Sequence, residues 1–103
     1  MTEVEVARTP LARMRGLLGR DGLPPGRALL LSPCRAIHTV GMRFPIDARF
    51  YDRRGRLVRQ ALGVGPGRPW VWGGWRAHAV LESAAGDPAF RGCETLAGLG
   101  VTP

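Results

Sequence analysis

No lysine and no asparagine occur in this chain: all 15 residues of its lysine-plus-arginine total are arginine, set against 8 acidic residues for a formal net charge of +7. Lysine and asparagine codons are AT-rich, so their joint absence is what a GC-rich coding sequence produces. That bias accounts for the choice of arginine but not for its excess over acids. A surface this basic is either simply solvated or meets an anionic partner such as nucleic acid, because cationic side chains release counterions from phosphate.

Long apolar runs are missing as well. The longest, Ala28 to Leu31, is strand-sized and far short of the ~20 residues a bilayer span needs, so no membrane partner is expected. The N-terminal Met1-Thr2-Glu3-Val4-Glu5 is acidic and lacks the apolar region of a signal peptide, which points to a cytoplasmic chain. Only two cysteines are present, Cys34 and Cys93, and reduced thiols are the default in that compartment; their spacing alone does not decide whether they pair. At 103 residues there is room for one domain, spanning 1–103, and 45% hydrophobic content is ample for a folded core.

Alternation of polar and apolar residues over 3–8 predicts a half-buried strand with Val4 and Val6 inward. Thr9-Pro10 reads as a helix start, since threonine caps free amides and proline suits the first helical position. Leu11, Met14, Leu17 and Leu18 supply an apolar stripe of two to three turns, Arg13, Arg15 and Arg20 suit its negative end, and Gly19 is the expected stop. A loop rich in glycine and proline follows at 21–26, then a strand from Arg27 to Leu31. Ile46, Ala48 and Phe50 alternate with Asp47, Arg49 and Tyr51, and a turn at 52–55 returns the chain as a partner strand over 56–62, the clearest hairpin in the sequence. After a breaker cluster at 63–69 come Trp70, Trp72 and Trp75, then a strand over 77–83; the course of 89–101 stays open between a helical turn and an edge strand. The expected fold is α+β, mostly antiparallel β, with five to six strands in a small barrel-like or curled sheet and one short N-terminal helix.

The run from Ser32 to Asp47 concentrates chemistry: Pro33-Cys34-Arg35-Ala36-Ile37-His38-Thr39-Val40-Gly41-Met42-Arg43-Phe44-Pro45-Ile46-Asp47. Cys34, His38 and Met42 recur every fourth residue. On a helix they would stack ~6 Å apart, but on a strand four residues span ~13 Å, too far for one ion. β-branched residues, Gly41 and the flanking prolines argue against a helix, so no metal is expected without a wrapped loop. Cys34 with His38 as base and Asp47 as orienter has the residue types of a nucleophilic site, although cysteine more often packs as a small hydrophobe. Asp47, out of place on a strand, either grips a cationic or hydroxylated ligand or accepts bonds from Arg43, His38 or loop amides as a strut. The tryptophans, with Arg68 and Arg76 beside them, form either a stacking platform or, more simply, the cover for one end of a small core.

The central run, continued by Phe50, Asp52 and Gly55 and flanked by Arg15-Gly16-Leu17-Leu18-Gly19-Arg20, Ala28-Leu29-Leu30-Leu31 and Val80-Leu81-Glu82 with Gly86, resembles the family known as domain of unknown function 192 over roughly residues 4–100. The resemblance implies a compact, mostly β domain with one short helix near the N-terminus, and it implies no activity, substrate or cofactor. Glu82, in the element similar to the family's Val-Leu-Glu, shares the two readings given for Asp47.

These observations favour a small-molecule or protein-binding module whose pocket lies around residues 33–47, with His38, Arg43, Asp47 and Glu82 as its polar groups and no cofactor. The alternatives are an enzyme using Cys34 and His38, and nucleic-acid binding through the arginine-rich surface.

Overall fold

Strand-forming runs dominate the computed structural model, which describes residues 2–103 apart from the side chains of Met14 and Arg15. The elements are β1 (Glu3–Ala7), α1 (Pro10–Arg15), β2 (Arg27–Leu31), β3 (Ala36–Ile37), β4 (Ile46–Tyr51), β5 (Leu57–Val64), β6 (Val71–Trp72) and β7 (Ala79–Ala84). Five strands make one sheet in the order β1-β2-β7-β4-β5, while β3 and β6 pair in a separate two-stranded ribbon. Only β1 and β2 run parallel; the other pairings are antiparallel. The fold class read from the sequence is the one observed.

The chain's last strand, β7, lies in the middle of the sheet. Its neighbours β2 and β4 flank it, so Ala28–Leu31 and Ile46–Tyr51 pair across it. Because the sheet is covered on both faces, every residue of β4 is buried, the charged Asp47 and Arg49 included. One face holds Leu29, Leu31, Ile46, Ala48, Phe50 and Val80 and packs against Leu17, Ile37, Met42 and Val71. The other holds Ala28, Leu30, Tyr51, Ala79 and Leu81 and is closed by Phe90 and Leu96 from the C-terminal segment. That segment, ambiguous in the sequence, forms short 3-10 turns at Pro88–Phe90 and Ala97–Leu99. The Tyr51 hydroxyl donates to the Cys93 carbonyl at 2.7 Å and pins the cover to the sheet. Cys34 and Cys93 are both free thiols and pack on opposite faces.

The N-terminal helix starts as expected: Thr9 accepts from the Ala12 amide at 3.1 Å and Pro10 opens the first turn. It ends earlier than its apolar stripe implies. Gly16 adopts φ +48°, ψ −126°, which no side-chain-bearing residue tolerates well, and the chain leaves the helix there rather than at Gly19. Leu17 still reaches the core, from a turn instead of a third helical turn. Met14 and Arg15, counted in the stripe and at its basic end, have side chains outside the described residues. In β1, Val4 is half-buried against the second face as expected, but Val6 is exposed at the sheet's edge.

Candidate functional site

The early end of α1 creates a cavity. Between α1, its following turn and the 34–42 segment lies a space of about 380 Å³, walled by Leu17, Leu18, Leu31, Ile37 and Met42. Four polar side chains reach it: Arg13, Cys34, His38 and Glu82. Gly16 roofs it closely, and a Cβ there would come within 3.9 Å of the Glu82 Oε1 atom.

Glu82 is the site's electrostatic oddity. It sits on the central strand, opposite Leu29 on one side and Ala48 on the other, and is 4% exposed. Among the described residues no hydrogen-bond donor or cation is paired with its carboxylate. Burial against apolar neighbours disfavours the charged form and pushes its pKa up from 4.5 to about 7. A carboxyl in that range is charged or neutral according to small changes in its surroundings.

The loop that carries His38 and Met42 is fixed by Thr39, a residue the sequence reading passed over. Its hydroxyl donates to the Gly65 carbonyl at 2.7 Å and accepts from the Arg68 amide at 2.8 Å, and its own amide donates to the Arg68 carbonyl at 2.8 Å. Thr39 is wholly buried, so these bonds are sheltered from water. His38 beside it remains exposed at the cavity's mouth. No local signal in the sequence marks it, because its partners Gly65 and Arg68 lie 26 and 29 residues away.

Arg43 and Asp47 do not reach this cavity. Arg43 turns to the surface and pairs with Asp21 at 2.8 Å. Asp47 accepts from the Gly63 amide at 2.8 Å through one carboxylate oxygen and from the Gly86 amide at 2.9 Å through the other. Arg49, also 4% exposed, approaches Asp47 to 4.0 Å and Ser83 to 3.4 Å, while its Nε has no partner among the described residues. The alternation placed Asp47, Arg49 and Tyr51 together on one face of the strand, but that this face is covered, and Arg49 buried with it, was not legible.

The nucleophilic arrangement is not assembled. The Cys34 thiol donates to the Ala36 carbonyl at 3.0 Å, and no bond joins it to His38. Burial pushes the thiol's pKa up; the Ala36 backbone and Arg13 offset part of the rise, and the Glu82 carboxylate adds to it. The thiolate is the reactive form, so iodoacetamide should label Cys34 more slowly than free cysteine at neutral pH, as read by mass mapping. Faster labelling would restore the nucleophile. Among the described residues no group of three or more His, Cys, Asp or Glu side chains could hold a metal ion.

The tryptophans do not close the core. Trp70 and Trp75 are 63% and 79% exposed, with half-buried Trp72 between them. No helix among the described residues is long and apolar enough to cross a membrane.

The family model for DUF192, an uncharacterised ACR, matches residues 1–95. No curated protein sequence matches the chain. Two solved structures share the fold. One is a protein of unknown function from Novosphingobium aromaticivorans DSM 12444, with a TM-score of 0.76 and 22% identity over 99% of this chain and 71% of that one. The other, from Sinorhizobium meliloti 1021, is described as a proposed transcription regulator, with a TM-score of 0.74 and 23% identity over 99% of this chain and 77% of that one.

Proposed function

Because the chain belongs to the DUF192 family, a membership that assigns no reaction, we propose from its own geometry that it is a small-molecule-binding module whose ligand enters between α1 and the 34–42 loop and meets Glu82 at the cavity floor. The observation that carries this reading is the buried Glu82 carboxylate, held in an apolar cavity without a protein partner among the described residues. Its oxygens face the cavity and not the sealed core, so a bound cation or hydroxyl can reach them and offset the cost of placing the charge among apolar neighbours.

The cavity's size and lining favour a compact, mostly apolar molecule with one cationic or hydroxylated end. Leu17, Leu31, Ile37 and Met42 would hold its body, and Glu82 would accept from its head. His38, at the mouth, would contact whatever part of the ligand remains in water.

Benzylamine and benzyl alcohol serve as probes, with benzoate as the control of opposite charge. Titration followed by calorimetry should show the amine and the alcohol binding and benzoate not. Glu82→Gln should weaken the amine about tenfold, the range of one charged hydrogen bond, and the alcohol less. Equal binding of all three, or an unchanged amine affinity in Glu82→Gln, would remove the carboxylate from the site.

A further inference from the structure

A second surface, sharing no lining residue with the cavity, is built around the tryptophans. Trp70 and Trp72 stack with ring centroids 6.0 Å apart and planes 11° from parallel; Trp75 meets Trp72 edge-on at 5.1 Å and 81°. With Arg35 they line an open cleft of about 540 Å³. An exposed indole is common enough singly, but three in contact, two of them mostly exposed, form a patch that folding alone does not call for.

The platform is rigid, and the sequence makes it so. Trp72 pairs with Ala36 in the β3–β6 ribbon. Gly73 then crosses the Phe50 ring so closely that a Cβ would sit 2.2 Å from it, and Gly74, at φ +97°, turns the chain so that Trp75 returns against Trp72. Arg35 clamps this turn from both ends: its carbonyl accepts from the Gly73 amide at 2.8 Å, and its Nε donates to the Ala77 carbonyl at 3.1 Å. A ligand stacking here meets a backbone already in place and two indoles already packed against Trp72, which lowers the cost of ordering them.

The charge around the rings is one-sided. Arg35 lines the cleft, Arg59 donates to the Trp72 carbonyl at 3.2 Å, and Arg68 precedes Trp70 by two residues. None of these three has a carboxylate partner among the described residues. Five of the eight acids are held elsewhere: Glu3, Glu5 and Asp21 pair with Arg27, Arg20 and Arg43, while Asp47 and Glu82 are buried. Arg76 lies within electrostatic reach of Asp52 and is not one of these three cations.

We propose that the Trp70–Trp72–Trp75 cleft and its unpaired arginines bind single-stranded nucleic acid, with bases stacking on the exposed indoles and phosphates lying against Arg35, Arg59 and Arg68. Unpaired bases supply π-faces of the right size in sequence, and their backbone supplies the negative charge that the rim lacks. A duplex hides its base faces and cannot use the indoles. A neutral oligosaccharide can stack but leaves the cations unused.

Anisotropy of a labelled oligodeoxythymidine of roughly ten nucleotides reads this directly. The protein should bind it at about 50 mM salt, lose most of that affinity by about 200 mM, and bind a duplex of the same length more weakly. Trp70→Ala and Trp75→Ala should each weaken binding about tenfold, the effect of losing one stacked base. Trp75→Leu keeps a large apolar side chain and removes the aromatic face, so an equal loss there assigns the effect to stacking rather than to apolar contact or folding. Duplex binding as tight as the single strand, affinity indifferent to the tryptophan substitutions, no anisotropy change at about 50 mM salt, or preferential binding of neutral chitotriose would each overturn the proposal. The Glu82 cavity is not part of this surface, so Glu82→Gln should bind the oligonucleotide as the parent does.

Discussion

Asp47→Ala is expected to unfold at a much lower urea concentration than the parent, with a stability loss of about 3–5 kcal/mol. Three consequences combine. The strand pairing opposes Ile46 to Val64 but Ala48 to Ala61, so two residues on β5, Leu62 and Gly63, face Asp47 alone. In such a bulge the ladder is locally disrupted, and the Gly63 amide finds its acceptor in the Asp47 carboxylate instead. The second oxygen takes the Gly86 amide in the turn after β7, so one side chain on β4 ties down the ends of both neighbouring strands. Finally, the Arg49 guanidinium, 4% exposed and already short of a partner at Nε, would lose its nearest carboxylate and be left as an uncompensated buried charge. Asp47→Asn keeps the shape but sets its carboxamide –NH2, a donor, against one of the two glycine N–H donors, and should fall between alanine and the parent. Ligand affinity measured on the fraction that remains folded should be unchanged in either variant. A variant that folds with parental stability but no longer binds the probes would instead return Asp47 to the ligand site.

The contrast between Asp47 and Glu82 shows where the sequence stops being informative. Both are acids on strands, and local pattern places each on the face opposite its apolar neighbours. What separates them is the cover over each face. The 3-10 turns at 88–90 and 97–99 close one side, while the break at Gly16 leaves a gap on the other. The hairpin of β4 and β5 was legible because alternation and a turn are local properties. The length of α1 was misjudged because Leu17 and Leu18 continue the apolar stripe past a glycine that has already left helical geometry. Burial of Leu17 is real; the helical period that seemed to require it is not. The tryptophans were misplaced for a similar reason. Large rings usually lie inside, but Gly73 gives its space to Phe50, and the rings on either side are turned outward.

Glu82→Gln should make the protein more stable above neutral pH and leave it nearly unchanged in acid, the reverse of what neutralising an ion-paired strand acid does. Burial raises the carboxyl's pKa from 4.5 in the unfolded chain to about 7 in the fold. Between those values the native state keeps a proton that the unfolded chain has released, so stability falls as pH rises. The contribution is complete below about pH 4.5, declines through about pH 7, and levels off above it. At 1.36 kcal/mol per unit, the loss amounts to about 3 kcal/mol. Glutamine cannot ionise and avoids it. Urea midpoints of parent and variant should therefore coincide near about pH 4.5 and separate progressively toward about pH 8.5, with the other titrating groups cancelling because both proteins carry them. A constant gap across that range would mean that the carboxyl does not change charge there. The same proton links stability to binding: a cationic ligand needs the ionised form, so benzylamine should bind the parent more tightly as pH rises from about 5 to about 8 and should recover, in that range, the stability that ionisation removes.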